Sequence, residues 1–182
     1  MVHRENQRVV LTKRLLKEGL LRLLQEKGLE QINVSELCRV AGINRATFYK
    51  HYSIPQDVLR EIQQDVVREI KQKAPRERTT ETARTYLKDI CEYLYAKRPL
   101  ICILLKSNTD EELVAMFSEA NRRYWGQYQQ RQDFEMDEEG IQLMVTFFSS
   151  GGYYLIRRWL LEDVRKTPAE VADMVFRFVT RI

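Results

Sequence analysis

The sequence contains few residues that interrupt helices. Seven glycines and four prolines are spread over 182 residues. Between these breakers the apolar residues recur every three or four positions rather than every second one, which places them on one face of a helix. We therefore expect an all-α protein of about nine helices.

The sequence lacks the residues that a metal site, a disulfide framework or a known catalytic motif requires. Cys38, Cys91 and Cys102 show no Cys-x-x-Cys spacing, and the two histidines are His3 and His51, so neither a zinc site nor a disulfide framework is expected. The sequence also lacks a Gly-rich phosphate loop, a Gly-x-Ser-x-Gly motif and a His-Glu-x-x-His motif. We expect reduced cysteines, no metal, no cofactor and no enzymatic activity.

Signals for a membrane or for export are also missing. No apolar run approaches the roughly eighteen residues that a membrane-spanning helix needs. The N-terminus lacks the apolar core of a secretory signal peptide. We therefore expect a cytoplasmic protein with no membrane partner.

The net charge of +4 is unevenly distributed. Residues 1–53 carry ten basic and five acidic side chains, a net charge of +5, so the remainder sums to −1. A basic N-terminal third favours contact with a polyanion, most simply a phosphate backbone. A charged surface exposed to solvent would give the same count.

Residues 1–53 are predicted to form a helix-turn-helix domain. Leucines at positions 16, 20, 23 and 24 form the apolar stripe of a first helix, which a glycine ends. Two short helical patterns follow, Val34–Ala41 and Arg45–Tyr52, with Asn33 and Asn44 as their caps. Helices this short, joined by a tight turn at Gly42, fit a helix-turn-helix braced by the helix before it. The alternative is a small helical hairpin with an aromatic core.

The second short helix carries side chains that suit the reading of bases. A recognition helix needs exposed hydrogen-bonding groups near its N-terminal end, because base edges in the major groove offer donors and acceptors there. Arg45 is suited to guanine, Thr47 to a phosphate or a thymine methyl, and Phe48 to the core. The preceding helix opens with a serine that is suited to a phosphate. The candidate contacts in this pattern are Ser35, Asn44, Arg45, Thr47, Lys50 and His51.

The rest of the chain is predicted to form a connecting helix and a second helical domain. The connecting helix spans residues 54–74, with Ser53 as its cap and Gln56 completing a capping box. A charged linker at residues 74–78 marks the start of the second domain, residues 75–182. The elements expected there are helices at 80–97, 100–106 and 109–126, a loop at 127–136 and a long helix at 141–162. A last helix is expected to begin at Thr167-Pro168, with Thr167 as its cap and Glu170 completing a capping box.

The long helix contains the sequence Ser149-Ser150-Gly151-Gly152. Each interior glycine costs a helix about 1 kcal/mol relative to alanine, so the pair requires an offsetting gain, which close approach of another helix can supply. We predict that this helix and the last one form a four-helix interface with a second copy of the chain. The alternative is a kinked helix in a monomer core. The predicted contacts are Phe148, Gly151, Gly152, Leu155, Trp159, Val171, Met174, Val175 and Phe178.

Five residues of the second domain are candidates for lining a ligand cavity between helices, namely Tyr93, Leu104, Phe117, Tyr124 and Phe147. Aromatic residues at helical spacing suit a packed core equally well. No buried charge pattern in this domain names a ligand.

Five segments within residues 8–60 form one ordered pattern. They are Thr12-Lys13-Arg14, Gly28, Ile32-Asn33-Val34-Ser35-Glu36-Leu37, Ala41-Gly42-Ile43 and Thr47-Phe48-Tyr49-Lys50-His51-Tyr52. In this order and spacing they resemble the N-terminal domain of the tetracycline-repressor (TetR) family. The resemblance implies a homodimer that binds double-stranded DNA at a palindromic operator, usually as a repressor that a small-molecule effector releases. It also implies that Tyr49 joins Ser35, Arg45, Thr47, Lys50 and His51 in contacting DNA.

One position departs from this family pattern. Pro55 stands where the family commonly has a lysine that touches phosphate, so we expect weaker binding and a salt dependence shallower by about one unit. Residues 151–160 also resemble the C-terminal domain of a TetR subgroup that includes a regulator of dihydroxyacetone utilisation. Both observations support an alternative, a co-regulator that acts through protein–protein interaction without repressing by itself.

Overall fold

The fold is all-α, as the sequence predicts. The computed structural model describes residues 7–73, 79–107, 114–115, 118–119, 122, 137–162 and 164–180. Within these ranges there are eight α-helices with described bounds, one short 3-10 helix at Leu29–Gln31, and no strand; residues 114–115, 118–119 and 122 are also helical. The helices are α1 (Gln7–Leu24), α2 (Val34–Ala41), α3 (Arg45–Phe48), α4 (Pro55–Gln72), α5 (Thr80–Ala96), α6 (Arg98–Lys106), α7 (Glu138–Leu161) and α8 (Pro168–Thr180).

The chain divides into two compact units, Met1–Arg68 and Glu69–Ile182, and the division falls inside α4. The predicted linker at 74–78 lies outside the described residues, and so do the predicted loop at 127–136 and most of the predicted helix at 109–126. No helix in the described ranges combines the length and the hydropathy that crossing a bilayer demands.

In the N-terminal unit, α1 packs closely on α2. The predicted leucine stripe is buried at Leu16, Leu20 and Leu23. Gly19 lies on the same face, and a Cβ added to it would stand 3.1 Å from the Cβ of Ala41 and 3.3 Å from that residue's backbone nitrogen. The missing side chain therefore permits the two helices to approach to backbone contact.

In the C-terminal unit, α6 and α7 hold each other through two arginines. Arg98, at the start of α6, donates from Nε to the Leu160 carbonyl (2.9 Å) and from Nη2 to the Glu162 carbonyl (3.3 Å). Arg157 of α7 donates in turn to the Leu105 carbonyl at the end of α6. Each guanidinium thus satisfies carbonyls that have no partner within their own helix.

The cysteines behave as buried thiols. Cys38 and Cys91 are buried, Cys102 is half-buried, and all three are free. Burial raises the pKa of the Cys91 thiol to about 12. Cys38 and Cys91 therefore fill space in the core, as expected, and Cys102 does so in part.

The start of α8 carries the capping box that the sequence predicts. Glu170 Oε2 accepts hydrogen bonds from the Thr167 backbone nitrogen (2.8 Å) and hydroxyl (2.9 Å), while the Glu170 backbone nitrogen donates to the Thr167 hydroxyl (3.3 Å). The backbone hydrogen bond from Thr167, followed by the contacts with Lys166 and the Thr167 hydroxyl, lowers the pKa of Glu170 to about 2.

We expect Gly19→Val to lower the free energy of unfolding by about 1–3 kcal/mol, because a branched side chain would overlap Ala41 and force α1 away from α2. Urea unfolding measures the change. Glu18→Val is the matched control, since it places the same side chain on the exposed face of α1 and should change stability by only about 0.5 kcal/mol. Equal losses in the two variants would contradict close packing at Gly19.

We expect the stability that the Glu170 carboxylate contributes to depend on pH. Its folded pKa is depressed to about 2, so the contribution is full above the usual glutamate pKa and is lost as the pH falls towards 2. The melting temperatures of the wild type and of Glu170→Gln should therefore differ most near neutral pH and converge in acid. A difference that stays constant with pH would contradict this assignment.

Candidate nucleic-acid interface

The turn between α2 and α3 depends on a glycine. Gly42 adopts a left-handed conformation with φ of 66°, which side chains on L residues disfavour. The Ile43 nitrogen donates to the Cys38 carbonyl (2.9 Å) and the Gly42 nitrogen to the Arg39 carbonyl (3.4 Å). This pair of bonds is a Schellman motif, which ends α2 and turns the chain into α3.

Asparagine caps both short helices, as predicted. The Asn33 side-chain oxygen accepts a hydrogen bond from the Glu36 nitrogen (3.0 Å), and the Asn44 oxygen accepts one from the Ala46 nitrogen (2.7 Å). Each bond satisfies a free donor in the first turn of its helix. Because its oxygen is already engaged, Asn44 is better placed to define the start of α3 than to read a base.

The α-helical part of the reading segment is shorter than predicted. The sequence pattern suggests a helix over Arg45–Tyr52, but α3 ends at Phe48. Beyond that point the hydrogen bonds tighten: the Lys50 nitrogen donates to the Thr47 carbonyl (3.3 Å) and the His51 nitrogen to the Phe48 carbonyl (2.9 Å). The segment 45–52, which we call the reading segment, is therefore one helical turn followed by tighter turns.

Two aromatic side chains fix the reading segment to the core of its unit. Phe48 is completely buried and Tyr52 nearly so, with ring centroids 5.8 Å apart. The prediction that Phe48 is a core anchor is confirmed. Tyr49 meets the edge of Phe48 at 5.5 Å yet leaves 53% of its surface exposed.

The remaining side chains of the reading segment point to solvent to different degrees. Arg45 and Lys50 are exposed, whereas Thr47 and His51 are half-buried. Ser35 is exposed in the first turn of α2. The sequence reasoning overlooked Ala46, which is also exposed; its position beside the cap, on the side of α3 away from Phe48, could have identified it.

Among the residues that the structure describes, no acid pairs with the positive charges of the reading segment. Within the described ranges, Arg45 and Lys50 form no ion pair, whereas Lys17 pairs with Glu61 at 2.8 Å and Lys27 with Glu36 at 2.6 Å. Basic side chains elsewhere in the unit are thus partly used in holding it together. Those of the reading segment keep their charge for an anionic partner.

The start of α4 differs in detail from the prediction. The predicted capping box used Ser53 and Gln56, but Asp57 takes that role. Its Oδ2 accepts hydrogen bonds from the backbone nitrogens of Ser53 (2.9 Å) and Ile54 (3.1 Å), which lower the pKa of this carboxyl group. Pro55 opens the helix and is buried, so no cationic side chain stands at its first position.

Part of the predicted dimer surface is buried within the chain and needs correction. Phe148, Trp159, Val171 and Val175 belong to the core of the C-terminal unit. Trp159, for example, stacks on Tyr95 with ring centroids 5.5 Å apart, and its indole N–H donates a hydrogen bond to the Lys166 carbonyl (2.9 Å). The other predicted contacts are exposed or half-buried, namely Gly151, Gly152, Leu155, Met174 and Phe178.

A second apolar face of α7, which the sequence reasoning did not separate from the first, points to solvent. Leu143 and Phe147 are 68% and 71% exposed, and Tyr154 lies on the same side of the helix. Gly151 stands between them, and a Cβ added there would have no atom within 4 Å. The close approach predicted at this glycine is therefore not made by the described part of this chain.

The three described members of the predicted ligand set differ in their burial. Leu104 is buried core, Tyr93 is half-buried, and Phe147 belongs to the solvent-facing side of α7, so it lines no cavity between described helices. Phe117 and Tyr124 lie outside the described residues.

Comparisons with known proteins agree with this architecture. The family described as "Bacterial regulatory proteins, tetR family" matches residues 18–62, and the family described as "Transcriptional regulator C-terminal region", which is a tetR C-terminal domain, matches residues 81–181. No curated protein matches the sequence.

Solved structures of the same fold cover almost the whole chain at low identity. A TetR transcriptional regulator from Streptococcus agalactiae 2603V is 20% identical, with a TM-score of 0.72 over 95% of this chain and 96% of its own. The dihydroxyacetone kinase operon activator DhaS is 12% identical, with a TM-score of 0.65 over 94% and 96%. FadR from Thermus thermophilus, a TetR-family repressor in complex with lauroyl-CoA, is 17% identical, with a TM-score of 0.56 over 92% of each chain.

The two family matches together span most of the described residues, and the second alone covers more than half of the chain. The first match contains α2, the Gly42 turn and the reading segment in the order that a helix-turn-helix requires. The chain belongs to the tetR family of bacterial transcriptional regulators.

Proposed function

We propose that the chain is a one-component repressor that binds a palindromic operator as a homodimer and is released by a small-molecule effector. The observation that carries the proposal is the reading segment, in which exposed Arg45, Tyr49 and Lys50 surround a fully buried Phe48. Burial of the aromatic anchor gives the exposed side chains a fixed direction, and fixed side chains are what recognition of base edges requires.

The exposed positions suggest a division of roles on DNA. Arg45, at the N-terminal end of α3, is suited to the O6 and N7 acceptors of guanine, and the methyl group of Ala46 to a thymine methyl. Thr47 can serve either a phosphate or a thymine. Lys50 and His51, with Ser35 at the start of α2, are suited to phosphates, which position the protein without reading sequence.

Dimerisation is proposed through the solvent-facing side of α7 together with α8. Leu143, Phe147 and Tyr154 form an apolar stripe along α7, and Met174 and Phe178 are exposed one turn apart on α8. Two such helices from each copy make a four-helix interface, and the open space over Gly151 admits a neighbouring helix.

The effector site is proposed to include Tyr93. This side chain is half-buried in the C-terminal unit, and its ring is flanked by the ammonium groups of Lys97 (4.8 Å from the centroid) and Lys73 (5.5 Å). The solved relative that carries lauroyl-CoA supports a small-molecule effector in this fold.

The alternative is a co-regulator that acts through protein–protein interaction. Two observations favour it: a buried proline, without charge, opens α4, and one structural relative is named as an operon activator rather than a repressor. A gel shift against a palindrome selected from random duplexes separates the two functions. Tight, salt-sensitive binding supports the repressor, and uniformly millimolar affinity for every sequence supports the co-regulator.

We expect two alanine substitutions in the reading segment to weaken operator binding in different ways. Arg45→Ala should cost about 1–3 kcal/mol and relax the preference at one base pair, whereas Lys50→Ala should weaken binding to all sequences and reduce the salt slope by about one unit. Arg22→Ala, at an exposed arginine of α1, is the control and should bind normally. Loss of the dimer or of the fold in either variant would instead assign a structural role to these residues.

We expect Phe147→Glu to convert the dimer to a monomer, because a charge would be buried between the paired helices. Light scattering measures the mass. Val164→Glu is the matched control, since it changes an exposed apolar residue that lies off the stripe of α7. A dimer that persists in Phe147→Glu would move the interface to another surface.

A further inference from the structure

Three segments of the N-terminal unit converge on one carboxylate, that of Glu61 in α4. The Tyr52 hydroxyl, at the end of the reading segment, donates to Glu61 Oε2 at 2.9 Å. From α1, the Lys17 ammonium lies 2.8 Å from Oε1 and the Lys13 ammonium 3.4 Å from Oε2. Glu61 therefore joins α1, α4 and the reading segment at one point.

The carboxylate is held in its charged form. Burial by itself would raise the pKa of Glu61, but hydrogen bonds from Lys17 and Tyr52 and the charges of Lys17 and Lys13 outweigh it, so the pKa lies below its usual value. The Glu61 side chain is 24% exposed, which partly shields these bonds from water. Hydrogen bonds to a charged acceptor are stronger than those between neutral groups.

Asp65, one turn further along α4, shares only part of this arrangement. It accepts from Lys17 at 2.5 Å and from Arg68 at 2.8 Å. It therefore ties α4 to α1, as Glu61 does, whereas the Tyr52 hydroxyl donates to Glu61. Replacing Asp65 therefore tests the contact between α4 and α1, whereas replacing Glu61 also tests the contact between α4 and the reading segment.

We propose that Glu61 is a positioning residue for DNA binding, which fixes the end of the reading segment through the Tyr52 hydroxyl. Phe48 anchors the segment at the end of α3, and the Tyr52–Glu61 bond anchors it four residues later. Tyr49, Lys50 and His51 lie between these two anchors, so their directions depend on both. The inference rests on the proposed DNA-binding function.

The test compares Tyr52→Phe, Glu61→Gln and the double variant with Asp65→Asn as the matched control. Tyr52→Phe removes only the hydroxyl, and we expect it to lower operator affinity about tenfold. The double variant should lose less affinity than the sum of the two single losses, because both changes weaken the same bond: Tyr52→Phe removes its donor, and Glu61→Gln replaces its charged acceptor with a neutral one. Asp65→Asn should keep its affinity within about twofold of the wild type.

Two further readouts distinguish positioning from general destabilisation. The salt slope of binding should stay unchanged in Tyr52→Phe, because no phosphate contact is removed. Amide exchange should accelerate at residues 49–52 while that of α2 stays as in the wild type. Equal affinity losses in Tyr52→Phe and Asp65→Asn, or exchange that accelerates equally throughout the unit, would overturn the proposal.

The amide exchange experiment needs no DNA, so it separates the two hypotheses. If the wild type binds no selected duplex, the proposed function fails. Faster exchange at residues 49–52 in Tyr52→Phe would still support the coupling through Glu61. Unchanged exchange there would overturn the coupling whatever the wild type binds.

Discussion

The burial of Phe48 is the constraint on which the arrangement of the N-terminal unit depends. Because the Phe48 ring at the end of the four-residue α3 is fully buried, the side chains of Arg45, Tyr49 and Lys50 are directed towards solvent. The left-handed Gly42 and the Asn44 cap bring the chain to this ring at a defined angle. The exposure of Arg45 and Lys50 is therefore a consequence of core packing. The burial of this one apolar side chain thus leaves basic side chains on a surface that can contact DNA.

Local features of the fold could be predicted from the sequence because their causes are local. The asparagine caps, the glycine turn and the Thr167–Glu170 capping box each involve residues within a few positions of one another, and each forms as expected. The role of Phe48 also follows from helical spacing. The length of α3 does not, because the apolar spacing of Phe48 and Tyr52 is the same whether the turns between them are α-helical or tighter.

Features that join distant parts of the chain escaped the sequence reasoning. α7 has apolar side chains on two faces, and a spacing of three and four residues describes both. The sequence pattern therefore does not separate the buried stripe through Phe148 and Trp159 from a surface that contacts a partner. Only the packing of α7 against its own unit distinguishes the two faces. In the same way, Gly19 contacts Ala41, twenty-two positions away, and Glu61 joins Tyr52, nine positions away, to lysines forty-four and forty-eight positions away. No local pattern records these contacts.

The reciprocal arginines of α6 and α7 limit how the C-terminal unit can rearrange. Arg98 and Arg157 each donate hydrogen bonds to carbonyls near the end of the opposite helix. A slide of one helix past the other by one turn, about 5.4 Å, would break these three hydrogen bonds together. Tilting of the two helices as a pair keeps all three, so the arginines favour tilting over shear as a route of conformational change.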